Sequence, residues 1–250
     1  MTYYKTNGVY KMLERADSHP FRWVAGNAWT LIYGDNQSNP LVCALVAGKS
    51  WSFQKEIFSL VKRISEVSGL PMVYIEFDDQ RSEIEEVEAS LNGSDLKKYE
   101  LNNLRDVFSS FGLPVQSGKV SKAINDASSS AYHNWQRQNL GNISVSDIDL
   151  FRKPTESAPA EIIELKRSYI SLDRWKPFPV DYTNFNLLLS VAKLCSLEFS
   201  IAYNVRHKNP FHDDASMLSI FRYSKRGFPR YIGVYNADEF IRGEYHLHLS

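Results

Sequence analysis

Two short runs constrain this chain more than any other stretch: Asp147-Ile148-Asp149-Leu150-Phe151 and Ile162-Ile163-Glu164-Leu165-Lys166. Side chains alternate along a strand, so Glu164 and Lys166 share one face while Ile163 and Leu165 share the other. In the first run Asp147 and Asp149 point one way, Ile148 and Leu150 the other. Between them RKPTESAPA, with two prolines, reads as a hairpin loop. Strands with one apolar face and one acidic face ending in lysine are odd as plain surface. The pattern makes sense if the polar face holds a divalent cation beside a water molecule.

The rest of the chain supplies the frame. Residues 1–18 allow a short helix, 21–34 and 40–48 read as strands around the turn GDNQSN, and 52–68 carries a helical apolar stripe. PMVYIEF (71–77) is a further strand, so the first 78 residues read as β-β-α-β. The acidic stretch Asp78–Asp95 is expected to be an exposed helix ending at Asn92-Gly93, and 96–112 another helix stopped by Gly112. LPVQSGK (113–119) is the expected linker, and Val120–Leu140 a helix ended by Gly141. After the two runs come an irregular stretch (169–185) and a helix to about Leu197, capped by Asp181 or Thr183. Strands follow at 198–208, 216–225 and 229–236, the last two a hairpin through Arg226-Gly227. The expected fold class is α/β with a mixed sheet, divided into an N-terminal α/β domain (1–115) and a C-terminal domain (116–250).

Composition is that of a soluble globular chain: 43% apolar and 23% charged, with zero net charge. No apolar run approaches the ~18 residues of a membrane span, and the N-terminus lacks a signal-peptide pattern. Cys43 and Cys195 both sit in apolar runs and read as buried reduced thiols, which points to a cytoplasmic, non-membrane protein. Residues 1–117 hold 12 Lys+Arg against 15 Asp+Glu, and residues 118–250 hold 17 against 14, so the basic tilt falls on the half with the two runs.

Asp149, a hairpin's length, then Glu164-x-Lys166 inside an apolar run resembles the PD-(D/E)XK nuclease superfamily, which has the restriction-endonuclease-like fold. The resemblance covers roughly residues 120–235. It departs from the family pattern at Ile148, where the pattern has proline, and no Glu occupies the 120–140 helix to serve as a fourth acidic ligand. The resemblance implies a restriction-endonuclease-like core in the C-terminal half and a metal-dependent DNA endonuclease. Asp149 and Glu164, with the Leu165 carbonyl, would hold Mg²⁺, for which Mn²⁺ could substitute. Lys166 would orient the attacking water or stabilise charge on the phosphate, and Asp147 would hold a second metal or simply cap the strand. Mg²⁺ typically takes only one or two protein carboxylates, so this set suffices. The N-terminal half would serve recognition, assembly or regulation. Cutting both strands usually requires two active sites, which makes a homodimer plausible.

Candidate contacts to DNA are Arg137, Arg152, Lys153, Arg167, Arg174 and Lys176, with Lys122, Arg206, Lys208, Lys225 and Arg226 behind them and Trp135, Trp175 and Phe178 interleaved. Arg167 and Arg174-Trp175-Lys176 lead because they follow directly from the Glu-x-Lys run. Three other readings stay open: a surface ion-pair ladder of Asp149, Glu164 and Lys166, a catalytically silent nucleic-acid-binding or assembly protein, and an RNA nuclease. His207, His212, Asp213 and Asp214 are expected in a solvated loop, and His246 and His248 on an edge strand. The serine elbow G-x-S-x-G and the phosphate loop G-x-x-x-x-G-K-[ST] are both absent.

Overall fold

A computed structural model describes residues 7–16, 20–116, 130–141, 143–223 and 228–249. In chain order the first elements are α1 (Gly8–Arg15), β1 (Phe21–Arg22), β2 (Ala28–Gly34), β3 (Pro40–Gly48), α2 (Lys55–Ser68) and β4 (Met72–Phe77). Next come β5 (Glu86–Leu91), β6 (Lys97–Glu100), α3 (Leu101–Ser110), α4 (Ala131–Asn139), β7 (Ser144–Asp147), β8 (Leu150–Arg152) and β9 (Glu161–Ser168). A 3-10 turn (Pro179–Asp181) leads into α5 (Tyr182–Leu194), followed by β10 (Glu198–Lys208), β11 (Phe211–Tyr223), β12 (Pro229–Asn236), α6 (Ala237–Arg242) and a 3-10 helix (Glu244–Leu249). The architecture is mixed α/β, with two six-stranded mixed sheets and six α-helices among the described residues. None of these helices is long and apolar enough to cross a membrane. Neither cysteine forms a disulfide; Cys43 is buried as expected, whereas Cys195 is only half-buried.

The chain divides into two compact units, residues 24–147 and residues 1–23 with 148–250. This replaces the expected boundary at 115/116. The reason is pairing: β7 joins β2 in the register Leu31↔Asp147 to Gly34↔Ser144. The same strand holds α4, because the Tyr33 hydroxyl bonds the Tyr132 hydroxyl at 2.9 Å and donates to Gln136 Oε1 at 2.7 Å. Both elements after the expected linker therefore belong with the first sheet.

In the 24–147 unit the strand order is β6-β5-β4-β3-β2-β7. Only β3 and β4 are parallel, joined by α2, whose Ile57, Val61 and Ile64 face inward. The expected β-β-α-β start is thus observed. The expected acidic helix is not: Glu86–Leu91 is a strand, with Val87 and Ala89 buried and the glutamates turned out. Asn92 and Gly93, with φ of 52° and 81°, make the two-residue turn that reverses it, and Ser94 N–H donates to Leu91 O at 3.0 Å. The helix expected from 96 begins only at Leu101, because Lys97–Glu100 completes that hairpin as β6. Of the helix expected over 120–140, residues 120–129 lie outside the described residues, and α4 covers Ala131–Asn139.

In the other unit the order is β1-β8-β9-β10-β11-β12. Here β9 and β10 are the parallel pair, connected through α5, and every other neighbour is antiparallel. α5 buries Phe185, Leu188, Leu189 and Ala192 against this sheet, as its spacing predicts. α1 is capped by Asn7, whose side chain accepts from Val9 N–H at 2.9 Å, and turns Val9, Tyr10 and Leu13 inward. The tail is a 3-10 helix rather than an edge strand.

Candidate active site

Asp149 does not lie on a strand with Asp147. β7 ends at Asp147 and β8 begins at Leu150, so Asp147 belongs to the 24–147 unit and Asp149 to the other. Asp149 is the residue that enters β8. The register Leu150↔Ile163 brings it to the level of Glu164 on β9. Its carboxylate accepts the Leu165 N–H at 2.8 Å, and its backbone carbonyl accepts the Tyr10 hydroxyl at 2.8 Å. Asp149 and Glu164 are 4% and 5% exposed.

Glu164 and Lys166 lie on one face of β9, as period two requires, and form an ion pair at 2.8 Å. The Lys166 side chain is 28% exposed, with its ammonium 5.4 Å from the centre of the Phe185 ring on α5. Burial pulls this ammonium down. The carboxylates of Glu164, then Asp149 and Asp181, outweigh that and hold Lys166 above the ordinary lysine range. Lys166 is therefore a fixed cation at neutral pH, a donor and a charge rather than a base. Asp181 enters this field from the turn before α5, where its side chain makes no capping hydrogen bond.

Burial removes the surface-ladder alternative. An exposed ion pair contributes little in either direction, whereas a buried one must offset the loss of hydration and gains little over apolar residues of the same shape. Carboxylates on an interior strand call for another reason to be there.

The basic candidates sort into two groups. Arg152 is 0% exposed; its guanidinium donates to Phe240 O at 3.4 Å, Ile241 O at 3.1 Å and the Tyr245 hydroxyl at 3.3 Å. It is a structural residue and not a nucleic-acid contact, because its guanidinium is spent inside the protein on the tail. Gly243, at φ 77°, is glycine for the same reason: a Cβ there would fall on the Arg152 guanidinium. Arg167 pairs with the buried Asp213, which Arg206 also engages at 2.9 Å and to which the Gly8 N–H donates at 3.2 Å. Trp175 is buried and stacked on Tyr203, so it is no surface aromatic. Lys153, Arg174 and Lys176 are exposed. Arg137 is half-buried and belongs to the 24–147 unit, as does Trp135, which is buried in its core. Lys122, Lys225 and Arg226 lie outside the described residues.

The histidines also move. His207 and His212 are cross-strand partners on β10 and β11, with rings 4.7 Å apart, and His207 lies 3.7 Å from Asp214. His246 is nearly buried: Arg222 donates to its Nδ1 at 2.7 Å, and its Nε2 lies 3.3 Å from Glu161. A guanidinium can only donate, so Nδ1 accepts and Nε2 carries the hydrogen toward Glu161. Among the described residues no group of three or more His, Cys, Asp and Glu side chains is placed to hold a metal ion.

Sequence reasoning missed Tyr10 and took Asp181 only as a helix cap. Nothing in the sequence marks Tyr10. Asp181 carried a signal, being an acidic residue at the mouth of the helix that crosses from the Glu-x-Lys strand.

No family model matches this chain, and no curated protein does. A solved structure of a sex pheromone precursor from Lactobacillus salivarius subsp. salivarius aligns at 12% identity with a TM-score of 0.12, over 78% of this chain and 62% of that one. The chain thus spans under two thirds of that protein, and the likeness carries no argument.

Proposed function

We propose that this protein is a metal-dependent DNA endonuclease acting through Asp149, Glu164 and Lys166. The observation that supports the reading is their juxtaposition: two buried carboxylates at one level of a strand pair, with a constrained cation beside them. The donor set fits a hard divalent cation such as Mg²⁺, since it offers carboxylate oxygens and the Leu165 carbonyl in a two-carboxylate arrangement. When bound, such an ion supplies a more acidic water and charge stabilisation at the phosphate.

The chain's own residues do the remainder. The Leu165 N–H holds one Asp149 oxygen, which leaves the carboxylate a set orientation. Lys166, kept cationic, neutralises charge developing on a phosphate oxygen or orients the attacking water. In the absence of substrate its charge rests on Glu164. Lys153, Arg174 and Lys176 remain as exposed cations for the phosphate backbone.

Incubation of supercoiled plasmid with Mg²⁺ or Mn²⁺ tests this, with Lys166→Ala and EDTA as controls and an RNA substrate alongside. Metal-dependent nicking or linearisation that is lost in Lys166→Ala is the expected result. Preferential digestion of RNA would replace DNA as the substrate. No cutting of any substrate by the wild-type protein would turn the reading into a silent nucleic-acid-binding protein.

A further inference from the structure

We propose that the segment from Tyr169 to Asp181 is a preformed grip for single-stranded DNA, in which Phe178 stacks on a base while Arg174 and Lys176 hold the adjoining phosphates. This rests on the reading of Asp149, Glu164 and Lys166 as a phosphodiester site, which is what selects nucleic acid as the ligand.

Three observations carry it. First, exposure alternates along Arg174-Trp175-Lys176-Pro177-Phe178: the arginine, the lysine and the phenylalanine face outward, and Trp175 and Pro177 are buried. The backbone is extended at Phe178, with φ −79° and ψ 138°, and alternate side chains on such a backbone lie roughly 6–7 Å apart, comparable to the reach of one nucleotide. Phe178 is 47% exposed, a large aromatic left in water two positions after Lys176. Single exposed apolar residues are ordinary on a protein surface. An aromatic in register with two outward cations is the composition that binds single strands, the ring for a base face and the cations for the backbone.

Second, the segment is held in place. Trp175 lies flat on Tyr203, with ring centres 4.2 Å apart and planes 1° from parallel. The Tyr203 hydroxyl donates to Ile170 O at 2.5 Å, and the Ser219 hydroxyl donates to Leu172 O at 3.0 Å. Both Arg174 N–H and Trp175 N–H bond Ser171 O, closing a turn. A surface loop fixed in this way loses little freedom when it binds. Of its two acids, Asp173 accepts a hydrogen bond from the Ser171 hydroxyl and has Arg174 beside it, and Asp181 stands at the far end of the segment.

Third, the segment is tied to the catalytic strand at both ends. Tyr203, the platform under Trp175, is the ladder partner of Lys166. Three residues beyond Phe178, Asp181 contributes to the field at Lys166. The segment thus starts at the end of β9, packs on the strand beside Lys166 and ends at the turn before α5, so a strand held along it runs beside the strand that carries Lys166. In a duplex the base faces are covered by their own stack, so the ring can engage only an unstacked base. That is why the predicted ligand is a single strand.

The test is fluorescence anisotropy with a labelled DNA 12-mer, single-stranded or annealed to its complement, in EDTA so that nothing is cut. The expected result is tighter binding of the single strand by about tenfold or more, weakened about tenfold in Phe178→Ala and restored in Phe178→Trp. Arg174→Ala with Lys176→Ala is expected to flatten the salt dependence of binding by about one to two phosphate contacts. Equal binding of both forms, or single-strand binding untouched by Phe178→Ala, overturns the inference. If that protein still cuts DNA through Lys166, the hydrolase reading stands. A protein that grips single strands through Phe178 and cuts nothing overturns the hydrolase reading alone.

Discussion

Tyr10 donates its hydroxyl to the backbone carbonyl of Asp149 at 2.8 Å, across 139 positions of sequence. A phenol on the first helix thereby fixes the backbone from which the candidate metal-binding carboxylate projects. Tyr10→Phe keeps the ring and removes this bond, leaving a buried carbonyl without that donor. The expected cost is about 1–3 kcal/mol of stability, together with a fall in cleavage rate larger than the loss of folded protein explains. Urea unfolding and plasmid cleavage at a temperature where both proteins are folded check the pair of effects.

Replacing the Glu164–Lys166 pair by Gln and Met is expected to abolish cleavage without loss of stability. Both groups are largely removed from water, and an ion pair in such a place is often matched or exceeded by apolar or neutral residues of similar volume. Thermal unfolding of the double variant should give an unchanged or raised midpoint. Lys166→Ala alone should be less stable than the double variant, because it leaves the Glu164 charge buried without its partner. A double variant that unfolds well below wild type would make the pair a structural element and weaken the functional reading.

Arg152→Ala should behave as a core mutation rather than a DNA-contact mutation. It deprives the Phe240 and Ile241 carbonyls of a buried donor and removes the group beneath Tyr245. A loss on the order of 3 kcal/mol is expected, with the tail near Gly243 becoming sensitive to limited proteolysis. Lys153→Ala, one position away and exposed, should leave stability unchanged and affect only DNA binding.

Glu161 sets an acid limit. Burial pushes its carboxyl up, but hydrogen bonds from His246 and Tyr245 outweigh that and hold it below the usual glutamate range. Its contribution to stability is therefore present above the unfolded glutamate value, about 4.3, and is lost as pH falls through the lower folded value. Denaturant unfolding at neutral pH and at about pH 3.5 should show wild type losing more stability on acidification than Glu161→Gln does. Equal losses would count against this assignment.

What could be read from the sequence follows from how local each signal is. β9, α5 and β10 are long, periodic and apolar on one side, and each lies where its pattern puts it. Asp149, Glu164 and Lys166 came together because two of them share a strand and the third needs only a hairpin to reach them. The split at Ile148 was hidden, since alternation runs unbroken through Asp147-Ile148-Asp149 with no glycine or proline to mark it. Only the partners of β7 and β8, far away in sequence, decide that the chain changes sheets there. β5 was masked by composition: its glutamates suggested a solvated helix while Val87 and Ala89 kept strand spacing. Arginine is ordinarily a surface residue, and what buries Arg152 is a carbonyl-rich tail some 88 positions on.

The pairing of β1 with β8 has a consequence for how the gene product is built. Arg22 stands opposite Phe151, and Lys153 N–H reaches Pro20 O at 2.7 Å, so the chain leaves this sheet at Trp23 and returns beside the same point at Ile148. The intervening 124 residues are thus a guest within a host whose two ends already meet. Deleting residues 24–147 and closing the gap with a short glycine-containing link would turn β1 and β8 into a simple hairpin. Such a minimal chain retains Tyr10, Asp149, Glu164, Lys166 and Phe178 on one continuous scaffold. Starting a fragment at 148 instead would discard the first helix and the edge strand that the scaffold is made from.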